Sequence, residues 1–276
     1  MKYMNKLTRL SFLTLILALA VASCQKMNRP ALGDYPKDTN VPGGPLKFYA
    51  ALDGGSVDSI RANFATDNHV TYVTGVNGKA AKFDMATKGY IVYPSANDFG
   101  GQTSFSVSIW INAGTTAQKD HVNADGILAF GNSSNFWGNF TLFADHENST
   151  SDSMVLKVVY NNGGTNSNFV AYDGNKRIPH IYDGNWHHFV ITYDATSTTH
   201  TLYVDGAMFD QRVIGREVFE NASVLVIGGF EQAASIQGNY AGNSWMSPFP
   251  GAIDQVRLYG KVLTPAEVTN LYTNKL

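Results

Sequence analysis

The carboxylates from which an acid–base pair could be drawn are few. The chain has five glutamates, Glu147, Glu217, Glu220, Glu231 and Glu267. Hydrolysis of a glycosidic bond with retention needs two carboxyl groups about 5–5.5 Å apart, one as nucleophile and one as acid/base. Close spacing on alternate residues of one strand would deliver that geometry, and none of the five glutamates stands in such a pattern. Asp145-His146-Glu147 comes nearest, but it runs into Asn148-Ser149-Thr150 and reads as a loop. His187-His188 suggests a metal pair or a base. If the two lie on a strand they point to opposite faces and do not chelate one ion side by side. A structural role, with an imidazole as a satisfied hydrogen-bonder, is the expected one. No Ser-His-Asp arrangement is visible, no glycine-rich phosphate loop follows a strand, and Cys24 is the sole cysteine.

Asp254 carries more information. In Ala252-Ile253-Asp254-Gln255-Val256-Arg257-Leu258-Tyr259, strict alternation places it on the face of Val256 and Leu258, pointing inward. A carboxylate there needs N–H donors, a basic partner or a cation to offset its desolvation. For ligand recognition, loops are richer than strands. Three loops, Ser133–Asn139, Tyr160–Asn168 and Asn239–Trp245, are rich in Asn, Gly and aromatics; the first contains Asn135 and Trp137, and the last contains Tyr240, Asn243 and Trp245. Asn offers both donor and acceptor to sugar hydroxyls, and an aromatic face covers the apolar C–H patch of a pyranose. These five residues are the candidate carbohydrate contacts, with Trp137 and Trp245 as platforms. Asn/Gly-rich loops also arise simply as long β-connections.

The elements that would position these groups are strands. Phe189, Ile191 and Tyr193 alternate with His188, Val190 and Thr192; after a polar run, Leu202 and Val204 resume the period of two. Asp205-Gly206 follows at once, a dipeptide suited to the positive φ of a type I′ turn. The expectation is a three-stranded antiparallel meander. Further strands are expected at 46–52, at 80–85 paired with 90–93, and at 104–112. Others follow at 126–130, 140–144, 154–160, 168–172, 224–230 and 252–259. In 104–112, Phe105, Val107, Ile109 and Ile111 form a core face, while Ser104, Ser106, Ser108 and Trp110 line an open groove or lie under a loop. Thr264-Pro265-Ala266-Glu267 has the cap, first-turn proline and capping-box glutamate of a helix, with Val268, Leu271 and Tyr272 as its apolar stripe.

Trp186-His187-His188 with its strand ending Tyr193-Asp194, then Leu202-Tyr203-Val204-Asp205-Gly206, resembles the centre of the laminin-G-like, concanavalin-A-like lectin/glucanase superfamily. Ser104–Ile111 before it and Phe249–Val268 after it extend the resemblance over most of residues 46–273. The resemblance implies an all-β jelly-roll sandwich of two antiparallel sheets with a short C-terminal helix. It also implies a candidate structural Ca²⁺ where the N- and C-terminal segments meet, bringing Asp53 and Asp58 towards Asp254. The alternative is that Asp254 accepts backbone N–H bonds and Asp53 merely opens a turn. A glucanase of this superfamily would carry E-x-D-x-E or E-x-D-x-x-E on one strand, which this chain lacks. The fold hosts lectins, adhesion modules, glycosidases and lyases, so function must come from the site.

Lys2, Lys6 and Arg9 precede an apolar run from Leu10 to Ala22, which as a helix rises about 20 Å, too little to cross a bilayer. Residues 1–23 read as a secretory signal, and Val21-Ala22-Ser23-Cys24 resembles the bacterial lipobox, whose cysteine is lipidated. Residues 24–45, with four prolines and few apolar side chains, read as a tether, and 46–276 as the single folded domain. The expected location is the bacterial envelope, exported and lipid-anchored through Cys24, on the periplasmic or surface face of the outer membrane. Cleavage removes three basic groups, leaving 17 Lys and Arg against 22 Asp and Glu. Such a balance offers no basic excess for nucleic acid. The leading expectation is non-catalytic binding of a polysaccharide or oligosaccharide. A hydrolase or lyase with a divergent site, and a protein-binding adhesion or scaffold module, are the alternatives.

Overall fold

The computed structural model describes residues 43–115, 123–145 and 152–275. Cys24 and nearly all of the 24–45 segment lie outside these residues. Two sheets face each other, each of eight strands among the described residues. The first contains β1 (Leu46–Ala50), β3 (Thr71–Thr74), β4 (Lys79–Lys82), β6 (Phe105–Asn112), β11 (His187–Asp194), β12 (Thr199–Val204), β13 (Ala207–Val213) and β16 (Ala252–Tyr259), in the order β13-β12-β11-β6-β16-β4-β3 with β1 also on β16. The second contains β2 (Thr66–Asn68), β5 (Tyr90–Tyr93), β7 (Ala124–Asn132), β8 (Phe140–Asp145), β9 (Val155–Gly163), β10 (Asn166–Tyr172), β14 (Ala222–Ile227) and β15 (Met246–Pro248). Its order is β10-β9-β8-β7-β14-β5-β2. The pairings are antiparallel except that β15 runs parallel to β7. This is the all-β jelly-roll sandwich that the resemblance implied.

The central meander forms as expected: β11 pairs β12, β12 pairs β13, and Asp205 (φ 50°) with Gly206 (φ 80°) makes the tight turn. The core between the sheets is aromatic, with Phe48, Phe105, Phe130, Phe140, Phe189 and Tyr160 all buried. The opposite face of β6 does not line a groove. The C-terminal helix α1 (Pro265–Thr273), held by a full Thr264/Glu267 capping box, covers that side of the sheet. Val268 and Leu271 pack on Val190 and Tyr203, and Trp110 stacks on Tyr272 at 5.5 Å. Trp110 also stacks on His188, whose Nε2 lies 2.9 Å from Ser108 Oγ. Burial pushes the His188 imidazole down to about 3. His187 points elsewhere, between Asp205 (2.9 Å) and Asp183 (3.1 Å). The pair is structural, with no shared ion position.

Two expectations are corrected. Residues 80–85 and 90–93 are not a strand pair: β4 joins β3 and β16 in one sheet, whereas β5 joins β2 and β14 in the other. Asp254 is not on the face of Val256. Gln255 has φ 51° and the register slips between Asp254 and Arg257, a bulge that adds one residue and reverses the alternation. Ile253, Val256 and Leu258 enter the core, while Asp254 stands opposite Trp110.

Candidate functional site

The outer face of the second sheet carries an exposed aromatic assembly that is also internally packed. On β8, β9 and β10, Leu142, Val158 and Val170 point into the core, so alternation turns Phe143, Val159 and Phe169 outward. Phe143 and Val159 form a second apolar cluster with Ala124, Phe230, Tyr240 and Met246. Trp137, from the β7–β8 loop, lies over it. Its ring stacks on Phe143 (5.6 Å, 13°), meets Phe169 edge-on (5.0 Å, 85°) and sits 5.6 Å from Trp245 at 51°. Phe169 is 45% exposed and Trp245 41% exposed, with Trp137 half-buried between them. The three rings make an open, inclined strip.

The strip is held rigidly from behind. Asn135 Oδ1 accepts the Trp137 amide (2.9 Å), and Thr141 Oγ1 donates to the Trp137 carbonyl (2.6 Å). The Gln232 amide donates to the Phe136 carbonyl. Gly138 closes this turn at φ 72°, where an added Cβ would lie 2.7 Å from the Phe130 carbonyl oxygen. Trp245 is fixed by its carbonyl, which accepts the Ala124 amide at 2.8 Å. Such pre-ordering lowers the entropy lost on binding.

The expected contacts therefore divide. Trp137 and Trp245 come together on one surface. Asn135 is not on that surface: it is 1% exposed, and its amide donates to Asn161 Oδ1 and the Asn166 carbonyl while its oxygen accepts the Trp137 amide. It is the pin of the loop. Tyr240 is 9% exposed and its hydroxyl accepts the Phe230 amide, so the ring supports the strip from below. Asn243 is half-buried and donates to the Asn239 carbonyl within its own turn. Phe169 was missed, although Val170 and Tyr172 facing inward already place it on the opposite side of the strand.

The three aspartates do not form one site. Among the described residues no group of three or more His, Cys, Asp or Glu side chains converges on a metal position. Asp58 is fully buried and saturated, accepting the amides of Tyr49, Ile60 and Arg61 and the side-chain amide of Asn97. Asp53 and Asp254 do meet at the turn between β3 and β4. Asp53 Oδ1 accepts the Lys79 amide, and Asp254 Oδ2 accepts those of Val76 and Asn77. Asp254 Oδ1 is buried without a partner. Burial pushes the Asp254 carboxyl up to about 6, and the charge of Asp53 acts in the same direction.

Other buried groups are perturbed as well. Burial raises Glu231 to about 8 and Glu217 to about 7, and lowers His200, set between the Tyr160 and Tyr172 hydroxyls, to about 3. The titratable neighbours on the outer face, Lys157 and Asp145, are paired with each other. Chemically, the strip offers stacking surface.

Residues 85–269, about two thirds of the chain, match the family model described as the concanavalin A-like lectin/glucanases superfamily. Among curated proteins, the sushi, von Willebrand factor type A, EGF and pentraxin domain-containing protein 1 of Rattus norvegicus is 32% identical over 96 residues, 34% of this chain. The Mus musculus protein is 33% identical over 93 residues, 33% of this chain. The chain spans only 2% of the length of these relatives. Among solved structures, domain 4 of AbnA, a GH43 extracellular arabinanase from Geobacillus stearothermophilus in complex with arabinotriose, is similar with a TM-score of 0.56. Identity is 20%, with 82% of this chain and 98% of that chain covered. The botulinum neurotoxin serotype D binding domain gives a TM-score of 0.62 at 15% identity, covering 84% of this chain and 52% of that one. With the sandwich, its meander and its capped helix all in place, this chain belongs to the concanavalin A-like lectin/glucanases superfamily.

Proposed function

We propose that this domain binds carbohydrate without transforming it, through the strip formed by Phe169, Trp137 and Trp245. The observation that carries this reading is two exposed rings flanking a half-buried one on a pre-ordered surface. A pyranose or furanose stacks its C–H face on such rings, and the contacts that already hold Trp137 and Trp245 lower the cost of ordering them on binding. The arabinotriose complex of the similar arabinanase domain supports a sugar as the ligand class. Stacking on an open surface gives modest affinity for one sugar ring, so polymers are held by repeated contacts. The lipid expected on Cys24 would keep the domain at the envelope, which detergent-phase partitioning of Cys24→Ser tests.

Binding to a mixed-glycan array and retention on immobilised polysaccharide test the reading. Trp245→Ala is expected to cut retention at least several-fold with little change in melting temperature. Trp137→Ala should cut retention too, but it also loses about 2 kcal/mol of stability, because the ring is stacked on Phe143. Undiminished retention by both variants would contradict the assignment.

A structural cation at Asp53 and Asp254 is proposed as a second feature, on one specific observation: a buried carboxylate oxygen of Asp254 with no donor, beside a second carboxylate. Gly75 and Gly78 keep the cradle clear, since a Cβ at either would fall 2.4 Å from Asp254 Oδ2 or 2.1 Å from Asp53 Oδ1. Oxygen donors of this kind suit Ca²⁺, which would neutralise the paired charge. Millimolar Ca²⁺ is expected to raise the melting temperature of chelator-stripped protein, and Asp254→Asn to abolish the increment. No increment in the wild type would leave Asp254 as an acceptor for the turn amides alone.

A further inference from the structure

Two clefts lie next to the strip. One, of about 400 Å³, is lined by Met85, Lys88, Asn123, Tyr240, Ser244 and Met246, among others. Ser244 and Met246 flank Trp245 in sequence, and Met246 and Tyr240 belong to the cluster beneath Trp137. The other, of about 350 Å³, is lined by Asn68, His69, Lys88, Gln232, Asn239 and Tyr240. Gln232 is the residue whose amide holds the Phe136 carbonyl at the rim of the strip. The two clefts thus share Lys88 and Tyr240, and both border elements that build the strip. Each falls in the size range of small-molecule sites.

Their chemistry differs from that of the strip. Asn68, Asn123, Asn239 and Ser244 present amide and hydroxyl groups, the donors and acceptors that pair with sugar hydroxyls. Lys88 is exposed on the tight turn between β4 and β5. That turn is fixed because Gly89 packs against the His69 carbonyl, where an added Cβ would come within 2.9 Å. The Lys88 ammonium pairs with no carboxylate among the described residues, unlike Lys47, Lys157 and Lys261. An exposed cation with no carboxylate partner among the described residues, at the junction of two polar clefts on a chain of net negative charge, favours an anionic group.

We infer that the glycan track runs from Trp137 and Trp245 over Tyr240 to Lys88, and that its far end takes an anionic substituent of the polysaccharide, a carboxylate or a sulfate ester. This inference rests on the carbohydrate-binding reading above and deepens it. The track is longer than one sugar ring, with stacking at one end and charge recognition at the other.

Affinity electrophoresis of the intact protein tests it, with polygalacturonate against its methyl-esterified form and dextran sulfate against dextran in the gel. The first pair probes carboxylate and the second sulfate. Wild-type protein is expected to be retarded more by a charged polymer than by its uncharged counterpart. Lys88→Gln should lower that preference by about two- to five-fold, the range an exposed ion pair supplies. It should leave retardation by neutral polymers unchanged, whereas Trp245→Ala weakens both. Lys176→Gln, at an exposed lysine away from the clefts, should change neither. Equal retardation by charged and uncharged polymers, an undiminished preference in Lys88→Gln, or an equal loss in Lys176→Gln would overturn the inference while leaving neutral-glycan binding intact. Failure to bind any neutral or charged polymer would remove the underlying reading as well.

Discussion

Asp58→Ala is expected to destabilise the domain by about 3–5 kcal/mol, the range for breaking a buried, fully satisfied polar network. The carboxylate collects four donors from three segments: the Tyr49 amide of β1, the Ile60 and Arg61 amides of the following turn, and the Asn97 side chain. It is completely buried, so water replaces it poorly. Asn97 also donates to the Lys47 carbonyl, which ties the 97–101 turn to the first strand. Removing the carboxylate takes the acceptor from all four donors and leaves β1 joined to the turn by contacts such as the Ser59 amide on the Tyr49 carbonyl. Urea denaturation measures the loss. The loss should be the same in Ca²⁺ and in chelator, because Asp58 is saturated by protein donors. A Ca²⁺-dependent loss at this position would return Asp58 to the cation site.

The second large effect is a pH-dependent gain. Glu231 is 1% exposed; its Oε2 accepts the Asn132 amide at 2.7 Å and its Oε1 has no partner. Burial raises the carboxyl to about 8. A raised carboxyl contributes stability that is present below its ordinary value near 4.5 and lost as pH rises through about 8. Glu231→Gln keeps the acceptor for Asn132 and cannot ionise. It is therefore expected to be more stable than wild type at pH 8 by roughly 2–4 kcal/mol, with the gap nearly closed at pH 5. Denaturation midpoints at the two pH values check this. A gap that does not depend on pH, or no gap at pH 8, would mean that Glu231 ionises freely in the folded state. The buried histidines act with the opposite sign. His188 and His200, lowered to about 3, contribute stability that is lost as pH falls below the ordinary histidine value of 6.5.

How much of this was legible in the sequence follows from which contacts are local. The β11–β12–β13 meander and the Thr264/Glu267 cap depend on residues a few positions apart, and both appear as read. Strands of three and four residues, Thr66–Asn68 and Thr71–Thr74, carry too little periodicity to be seen. Their absence led β4 and β5 to be paired with each other, although β4 belongs with β3 and β5 with β2. Asp254 fails for a different reason. Period-two counting assumes that no residue is inserted, and the bulge at Gln255 inserts one. Trp137 and Trp245 were legible as loop aromatics flanked by glycine and asparagine. That the two loops bring their rings to 5.6 Å was not, because they lie far apart in the sequence and meet only in the folded chain. Asn135 shows the limit of composition: the same residue type serves as a sugar contact or as a buried loop pin, and its surroundings decide.

The central claim is that glycan lies on the Phe169–Trp137–Trp245 strip. The chain contains four tryptophans, which makes their indole N–H resonances a direct report of where ligand sits. Trp110 is buried beneath α1 and serves as the internal control. Titration of ¹⁵N-labelled protein with an oligosaccharide of a retained polysaccharide is expected to shift the Trp137 and Trp245 indole signals together, leaving Trp110 and Trp186 in place. Phe169→Ala should weaken the titration. Shifts confined to Trp186, or unchanged binding after loss of both Trp245 and Phe169, would contradict the account.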